Sequence, residues 1–307
     1  MTVDRLMPRR PESGVRCPGA VEQALQRIWR LGRRIAPVGF VSAVERSRIP
    51  RAIVPAFSTA NPSRFAALEL IGRKRLRKHA LRGGDWSFCV HHGTADASVV
   101  GEVFRLCYYR IPYAIERQLR ELGRPPRVVD LGAHVGLFAV WIAGQFPSAE
   151  IVSFEPDPTN FRALLCTIGA NRPRSNSWQA VPAAAATEDG SVPFRAGWSS
   201  SSRILRSAGA DTFRAEARDV FPHLAHGDVV KIDIEGGEWA LLADERFAQV
   251  SPALLFFEYH RNLSPSDDPR RHAMRALEAA GYEIAEVFAA PDVGLLRAVP
   301  SRRSRRQ

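Results

Sequence analysis

The stretch Val128-Val129-Asp130-Leu131-Gly132-Ala133-His134-Val135-Gly136 decides the fold. It opens on an apolar run interrupted by one carboxylate, the pattern of a strand buried on both faces, and Val135 to Phe146 continues as an apolar helix. Glycines between the two let a ligand approach the main chain, and the helix N-terminus offers free N–H groups to an anionic group. The spacing G-x-x-x-G departs from G-x-G-x-x-G, and the acidic residue precedes the glycines, so a nicotinamide dehydrogenase is disfavoured. The same window is the most apolar of the chain, yet Asp130, His134 and three glycines inside it argue for a buried strand turning into a helix and against a membrane span.

Outward from this stretch the pattern repeats. Apolar runs suited to buried strands (Arg127 to Leu131, Glu150 to Phe154, Gln179 to Ala185, Val229 to Ile234, Ala253 to Tyr259) alternate mostly with helix-length segments (Val135 to Phe146, Pro158 to Ala170, Gly237 to Ala248). Such alternation predicts an α/β fold with a doubly wound, mostly parallel sheet covered by helices on both faces. Tyr282 to Phe288 and Val293 to Val299 read as a closing antiparallel pair, which brings the sheet to seven strands. On the N-terminal side, Asp85 to Tyr109 reads as a strand and then a helix, and a basic helix is expected from Ser63 to about Leu81. The expected organisation is a basic N-terminal extension over 1–84, partly helical, then the α/β domain over 85–300 and an Arg-rich tail over 301–307.

A chain of 307 residues with 45% hydrophobic residues excludes a wholly disordered protein. Charge is uneven: residues 1–126 carry 23 Lys and Arg against 10 Asp and Glu, whereas residues 127–300 carry 16 against 22. All but three of the basic residues are Arg, which weakens the basic balance as a sign of phosphate binding. Within the first sixty residues Val21, Leu25, Ile28 and Trp29 share one helical face among arginines, so a docking helix with peripheral membrane contact is admitted. The four cysteines (Cys17, Cys89, Cys107, Cys166) form no C-x-x-C pair, so neither a disulfide framework nor a zinc knuckle is expected, and no export signal is read; the expectation is a cytoplasmic protein.

Three strand ends carry the polar chemistry. The second ends in Phe154-Glu155-Pro156-Asp157, and a carboxylate there, beside the glycine turn, suits two ribose hydroxyls. The fourth is Lys231-Ile232-Asp233-Ile234-Glu235-Gly236-Gly237-Glu238, where period-two alternation puts Lys231, Asp233 and Glu235 on one face of a strand that should be apolar. Those charges need mutual pairing or a ligand. The fifth ends in Phe257-Glu258-Tyr259-His260, where His260 is a candidate base or a plain loop histidine.

These three blocks together resemble the FkbM family of class I, S-adenosylmethionine-dependent methyltransferases. Asn160 and Phe161 extend the second block, and Gly93-Thr94-Ala95-Asp96 leading to Glu102-Val103-Phe104 and Tyr109 is similar to the segment before the family's core. The resemblance implies a Rossmann-like fold and S-adenosylmethionine as cofactor, held by Asp130, Gly132, Ala133, His134, Gly136, Glu155 and Asp157. It implies O-methylation of a small-molecule hydroxyl acceptor, a sugar or secondary metabolite. Asp233 and His260 are then the candidate bases, with Glu235 and Glu258 as orienting groups or metal ligands; Mg²⁺ would suit those carboxylates, although nothing in the sequence demands a metal. Two departures stand out: His134 occupies a place where the family usually has Asn, and Ala186-Thr187 stand where an acidic residue commonly faces the adenine, with Glu188 or Asp189 nearby. The competing class is a nucleic-acid-binding protein or nucleic-acid methyltransferase using the basic first 126 residues, for which no RNA-binding motif is present; a third is a pseudoenzyme. Oligomeric state is not legible in the sequence.

Overall fold

The fold comes from a computed structural model that describes residues 48–172, 174, 177–197, 203–204, 212–290 and 292–301. The amphipathic helix expected around Trp29 lies outside them. Helices α1 (Arg48–Ala56) and α2 (Pro62–Ile71) precede an antiparallel hairpin of β1 (Leu76–Ala80) and β2 (Ser87–His91). The helix expected to run to Leu81 therefore stops ten residues early, at Gly72. That glycine adopts φ 65, caps α2 through its N–H to the Leu68 carbonyl, and turns the chain into β1.

Next come α3 (Asp96–Phe104), α4 (Tyr113–Arg120), β3 (Arg127–Leu131), α5 (Leu137–Gln145), β4 (Glu150–Phe154) and α6 (Pro158–Asn171). They are followed by β5 (Trp178–Val181), β6 (Ala184–Ala186), β7 (Gly190–Arg195), β8 (Arg203–Ile204), β9 (Phe213–Asp219) and the short α7 (Phe221–Leu224). The chain closes with β10 (Val229–Ile232), α8 (Glu238–Ala243), β11 (Leu254–His260), α9 (Pro269–Ala279), β12 (Tyr282–Ala289) and β13 (Val293–Pro300).

Seven strands form the main sheet in the order β12-β13-β11-β10-β3-β4-β5. The five from β11 to β5 are parallel, and β13 and β12 close the edge antiparallel, with a register shift between Glu286 and Phe288. Period-two alternation sorts side chains into two cores. Val128, Val229, Leu254 and Phe256 pack with α3 and α5 on one face, and Val129, Val230, Leu255 and Phe257 pack with Trp239, Ala273 and Leu277 on the other. The expected window thus folds as β3, turn and α5, and among the described residues no helix is long and apolar enough to cross a membrane.

The strand expected over Gln179–Ala185 is broken in two. Pro182 has no N–H to continue a ladder; β5 ends before it, and β6 joins a separate four-stranded sheet, β6-β9-β7-β8. A second expectation fails at the cysteines: Cys89 on β2 and Cys166 on α6 form a disulfide across 77 residues. The same junction is stitched by the Cys89 N–H donating to Thr167 Oγ1 at 3.0 Å and the Ser87 N–H donating to Asn171 Oδ1 at 2.9 Å. Packing two distant elements created a pairing that no local spacing announces, and it removes the cysteine argument for a reducing compartment. Opening this bond should therefore lower stability by about 2–4 kcal/mol, the effect of opening a long cross-linked loop. Urea unfolding of Cys166→Ser beside the wild-type chain measures it, whereas a reductant would also open the disulfide of Cys107.

Candidate active site

The carboxyl ends of β3, β4, β10 and β11 open into one cleft, roofed by α3. The first wall is the turn after β3. Gly132 (φ 75), His134 (φ 53) and Gly136 (φ 87) all take left-handed backbone, and a Cβ on Gly132 would collide with the Asp233 carbonyl. Only glycine tolerates that approach, whereas His is among the side-chain-bearing residues that enter this region more readily. The turn is fixed from β4: Gly132 and Ala133 N–H groups donate to the Phe154 carbonyl at 3.1 and 2.9 Å, and the His134 N–H donates to Glu155 Oε2 at 2.7 Å. The other oxygen of Glu155 accepts the Asp157 N–H at 2.8 Å. Burial pushes the Glu155 carboxyl up to about 7 despite the nearby His134 charge and these two donors.

The second wall is built on one buried ammonium. Lys231 Nζ lies 3.1 Å from Asp233 Oδ2, 3.5 Å from Asp130 Oδ1 and 2.9 Å from the Gly132 carbonyl oxygen, with the lysine 4% exposed. Burial disfavours its charge, but the Asp233 and Asp130 carboxylates outweigh that and raise its pKa. For Asp130 burial outweighs Lys231 and the pKa is raised; for Asp233 burial loses to Lys231 and His260, and it is lowered. β10 itself stops at Ile232, so Asp233 and Glu235 belong to the following turn, where Glu235 (φ 54) and Gly236 (φ 110) again take left-handed backbone.

The third wall is Glu258 on β11, and behind it stands His260, 7% exposed at the end of that strand. Its Nδ1 lies 3.1 Å from Glu238 Oε1, a fully buried carboxylate that also accepts the His260 N–H at 2.9 Å. Its Nε2 faces Glu235 at 3.6 Å and both Asp233 and Glu258 at 3.8 Å. Burial opposes an imidazolium here, but the Glu238 hydrogen bond and charge, with Glu235 and Asp233, raise its pKa to about 10. Glu258 moves up to about 8, through burial first and Asp233 second, while His260 and Lys231 pull the other way. From α3, Glu102 is also raised by burial and Asp233.

Of the residues singled out in the sequence, Gly132, Ala133, His134, Glu155, Asp233, Glu235 and Glu258 line the cleft. Asp130 lies beneath it as a partner of Lys231. Gly136 packs against Leu164 and Trp178, and Asp157 is spent on capping α6, accepting the Thr159 and Asn160 N–H groups at 2.7 and 3.2 Å. His260 stands just behind the carboxylates it faces. Where an acidic residue was sought after the third strand, Ala184 and Ala185 line the cleft, and Asp189 instead accepts the Asp219 N–H at 2.9 Å. Asp233, Glu235 and His260 each offer a donor atom within 4.8 Å of the others, the group among the described residues with spacing for a cation; Lys231 and His260 already bring positive charge there from the chain itself. Asp96 is the residue that reading by strand ends missed: it lies at the start of α3, fully buried, and Oδ1 meets His134 Nε2 at 3.1 Å.

Residues 130–284, half of the chain, match the family model described as the methyltransferase FkbM domain. This chain belongs to the FkbM methyltransferase family. A curated relative, methyltransferase sdnD of Sordaria araneosa, is 32% identical over 83 residues, covering 23% of this chain and 32% of that protein; the match thus spans about a third of that relative's length. Among solved structures, a methyltransferase FkbM from Methylobacillus flagellatus overlaps 82% of this chain and 58% of its own, at 17% identity and a TM-score of 0.41. A precorrin-6y C5,15-methyltransferase from Geobacter metallireducens overlaps 61% and 87%, at 16% identity and a TM-score of 0.35.

The Lys231 cluster makes a direct prediction. Lys231→Met leaves the fully buried Asp130 and the half-buried Asp233 without their cation, and unfolding in urea should show a loss of about 3–5 kcal/mol. A change under 1 kcal/mol would mean that the ammonium is not what holds the two strand ends together.

Proposed function

We propose that this protein transfers a methyl group from S-adenosylmethionine to a hydroxyl oxygen of a small molecule, a sugar or a secondary metabolite. The observation that carries the reading is Glu258: a carboxyl lining the cleft between Asp233, Glu102 and His260, with its pKa moved up to about 8. A neutral alcohol must lose its proton as the new bond forms, and a base serves best when its pKa lies near the working pH. Of the four polar groups at these strand ends, Glu258 meets that requirement. Asp233 is held as a weak base by Lys231, and His260, raised to about 10, carries its proton near neutrality. In this assignment His260 steadies the carboxylates that surround it, Glu235 completes that setting, and Asp233 orients the acceptor hydroxyl.

The cofactor end of the cleft fits the group that the family implies. Each oxygen of Glu155 accepts one main-chain N–H and keeps a lone pair for a ribose hydroxyl, and Ala184, Ala185 and Phe194 offer an apolar shelf nearby for a flat base. When bound, S-adenosylmethionine supplies an already activated methyl, so the protein's main task is to place the acceptor oxygen at about 3 Å. Val99, Val103, Leu137 and Phe138 line the remaining cleft and exclude water from that position. No step in this assignment requires Mg²⁺.

Mass spectrometry of extracts from strains with and without the gene, seeking products that differ by one methylene, decides the acceptor class; a methylated base in nucleic acid would overturn it. Glu155→Ala should weaken S-adenosylmethionine binding by about 1.5–3 kcal/mol in a calorimetric titration, the range for a hydrogen bond to a charged group. Glu258 accepts a proton only when ionised, so the single-turnover rate should rise with pH through about 8. Glu258→Gln should abolish that rise and slow transfer by ~10²-fold or more. An unchanged profile would pass the role to Asp233.

A further inference from the structure

We propose that Asp96, on α3, is a positioning residue that holds His134 as an imidazolium, and that this cation reads the carboxylate at the amino-acid end of the cofactor. The inference deepens the cofactor reading above and rests on it.

Asp96 is fully buried and its two oxygens face different elements, Oδ1 within ion-pair distance of a histidine but without hydrogen-bond geometry. Oδ2 accepts the His91 N–H at 2.8 Å and lies 3.2 Å from His91 Nδ1, which fastens the start of α3 to β2. A structural anchor needs no more than that. Oδ1 turns the other way, to His134 Nε2 at 3.1 Å, and so reaches the turn after β3. That turn is already fixed from its other side by the Glu155 carboxylate, so His134 is gripped through its main chain by β4 and through its ring by α3.

Charge explains the arrangement. Among the described residues that line the cleft, Lys231 and His134 are the side chains able to carry a positive charge. S-adenosylmethionine carries a carboxylate on its methionyl end, and that end must lie near the first turn if the ribose lies on Glu155. Lys231 is committed to Asp130, Asp233 and the Gly132 carbonyl. His134 is the ring at the turn, and Asp96 favours its charged form: burial opposes the proton, the Asp96 carboxylate outweighs it, and the pKa is raised. An Asn side chain at this position tolerates left-handed backbone but carries no charge. The His134–Asp96 pair therefore adds a cation that an amide lacks.

Two ligands separate this role from a purely structural one. S-adenosylhomocysteine has the carboxylate; 5′-methylthioadenosine has the same adenosine and thioether without it. Calorimetry on the wild-type chain, Asp96→Asn and His134→Asn should show S-adenosylhomocysteine weakened about tenfold or more in both variants, as for a lost charged hydrogen bond. 5′-Methylthioadenosine should change by less than about twofold in both, since its contacts are untouched. The groups facing His134 are Asp96 and Glu102 from α3, His91 from β2, Glu155 from β4 and Asp233 after β10. Glu155 acts on both ligands alike; the α-ammonium that S-adenosylhomocysteine has and 5′-methylthioadenosine lacks also titrates, but its step does not move in Asp96→Asn, so a step that moves with Asp96 isolates His134. That ratio should fall as pH rises through the imidazolium's pKa, and in Asp96→Asn it should fall at lower pH. Equal weakening of both ligands, or a pH-independent ratio, overturns the proposal and leaves Asp96 a helix anchor. A variant that does not fold is replaced by the other, because His134→Asn leaves the Asp96–His91 anchor intact. Wild-type protein that binds neither ligand overturns the cofactor reading, and with it this inference.

Discussion

One almost wholly buried ammonium group holds the centre of this protein together. Lys231 reaches across from β10 to the end of β3, meeting Asp130, Asp233 and the Gly132 carbonyl at once. The two carboxylates would otherwise repel one another, and the deeper one, Asp130, would take up a proton. With the lysine between them, the central strands end in register, and the turn after β10 can press its main chain against the turn after β3. The close contact between Gly132 and the Asp233 carbonyl is possible only because both turns are pinned from below.

From that point outward the site is a series of side chains with divided duties. Glu155 fixes the first turn with one oxygen and the start of the α6 entry with the other. Glu238 holds both the main chain and the ring of His260, and its second oxygen accepts the Gly236 N–H at 2.7 Å. Asp96 divides itself between His91 and His134. Each of these three carboxylates joins two elements, so the geometry of the cleft is set from its back while its mouth stays open to ligands.

Much of this was legible in the sequence, for identifiable reasons. A strand buried on both faces leaves an uninterrupted apolar run, so β3, β4, β10 and β11 announced themselves, as did the doubly wound order. A charged residue in such a run is costly, which is why Asp130, Glu155, Lys231 and Glu258 stood out. Asp157 came from the resemblance as a cofactor contact, and the structure places it as the cap of α6, a duty that the expected helix start at Pro158 was enough to suggest. The small sheet was missed although Ala215 and Ala217 alternate with charged neighbours in β9, a strand whose inward residues are too small to register as apolar. The Cys89–Cys166 bond and the Asp96–His134 contact join elements far apart in the chain, and only tertiary packing brings them together.

The antiparallel closure of the sheet bears on how the molecule behaves in crowded solution. A row of unpaired N–H and C=O groups on an outer strand is a template for a neighbouring chain. Here β12 carries the exposed Glu283 and Glu286, ties Glu286 to Arg270 of α9, and shifts register between Glu286 and Phe288. The opposite outer strand, β5, is only four residues long. One border is thus charged and bent and the other too short to recruit a partner, which protects the sheet against edge-to-edge self-association.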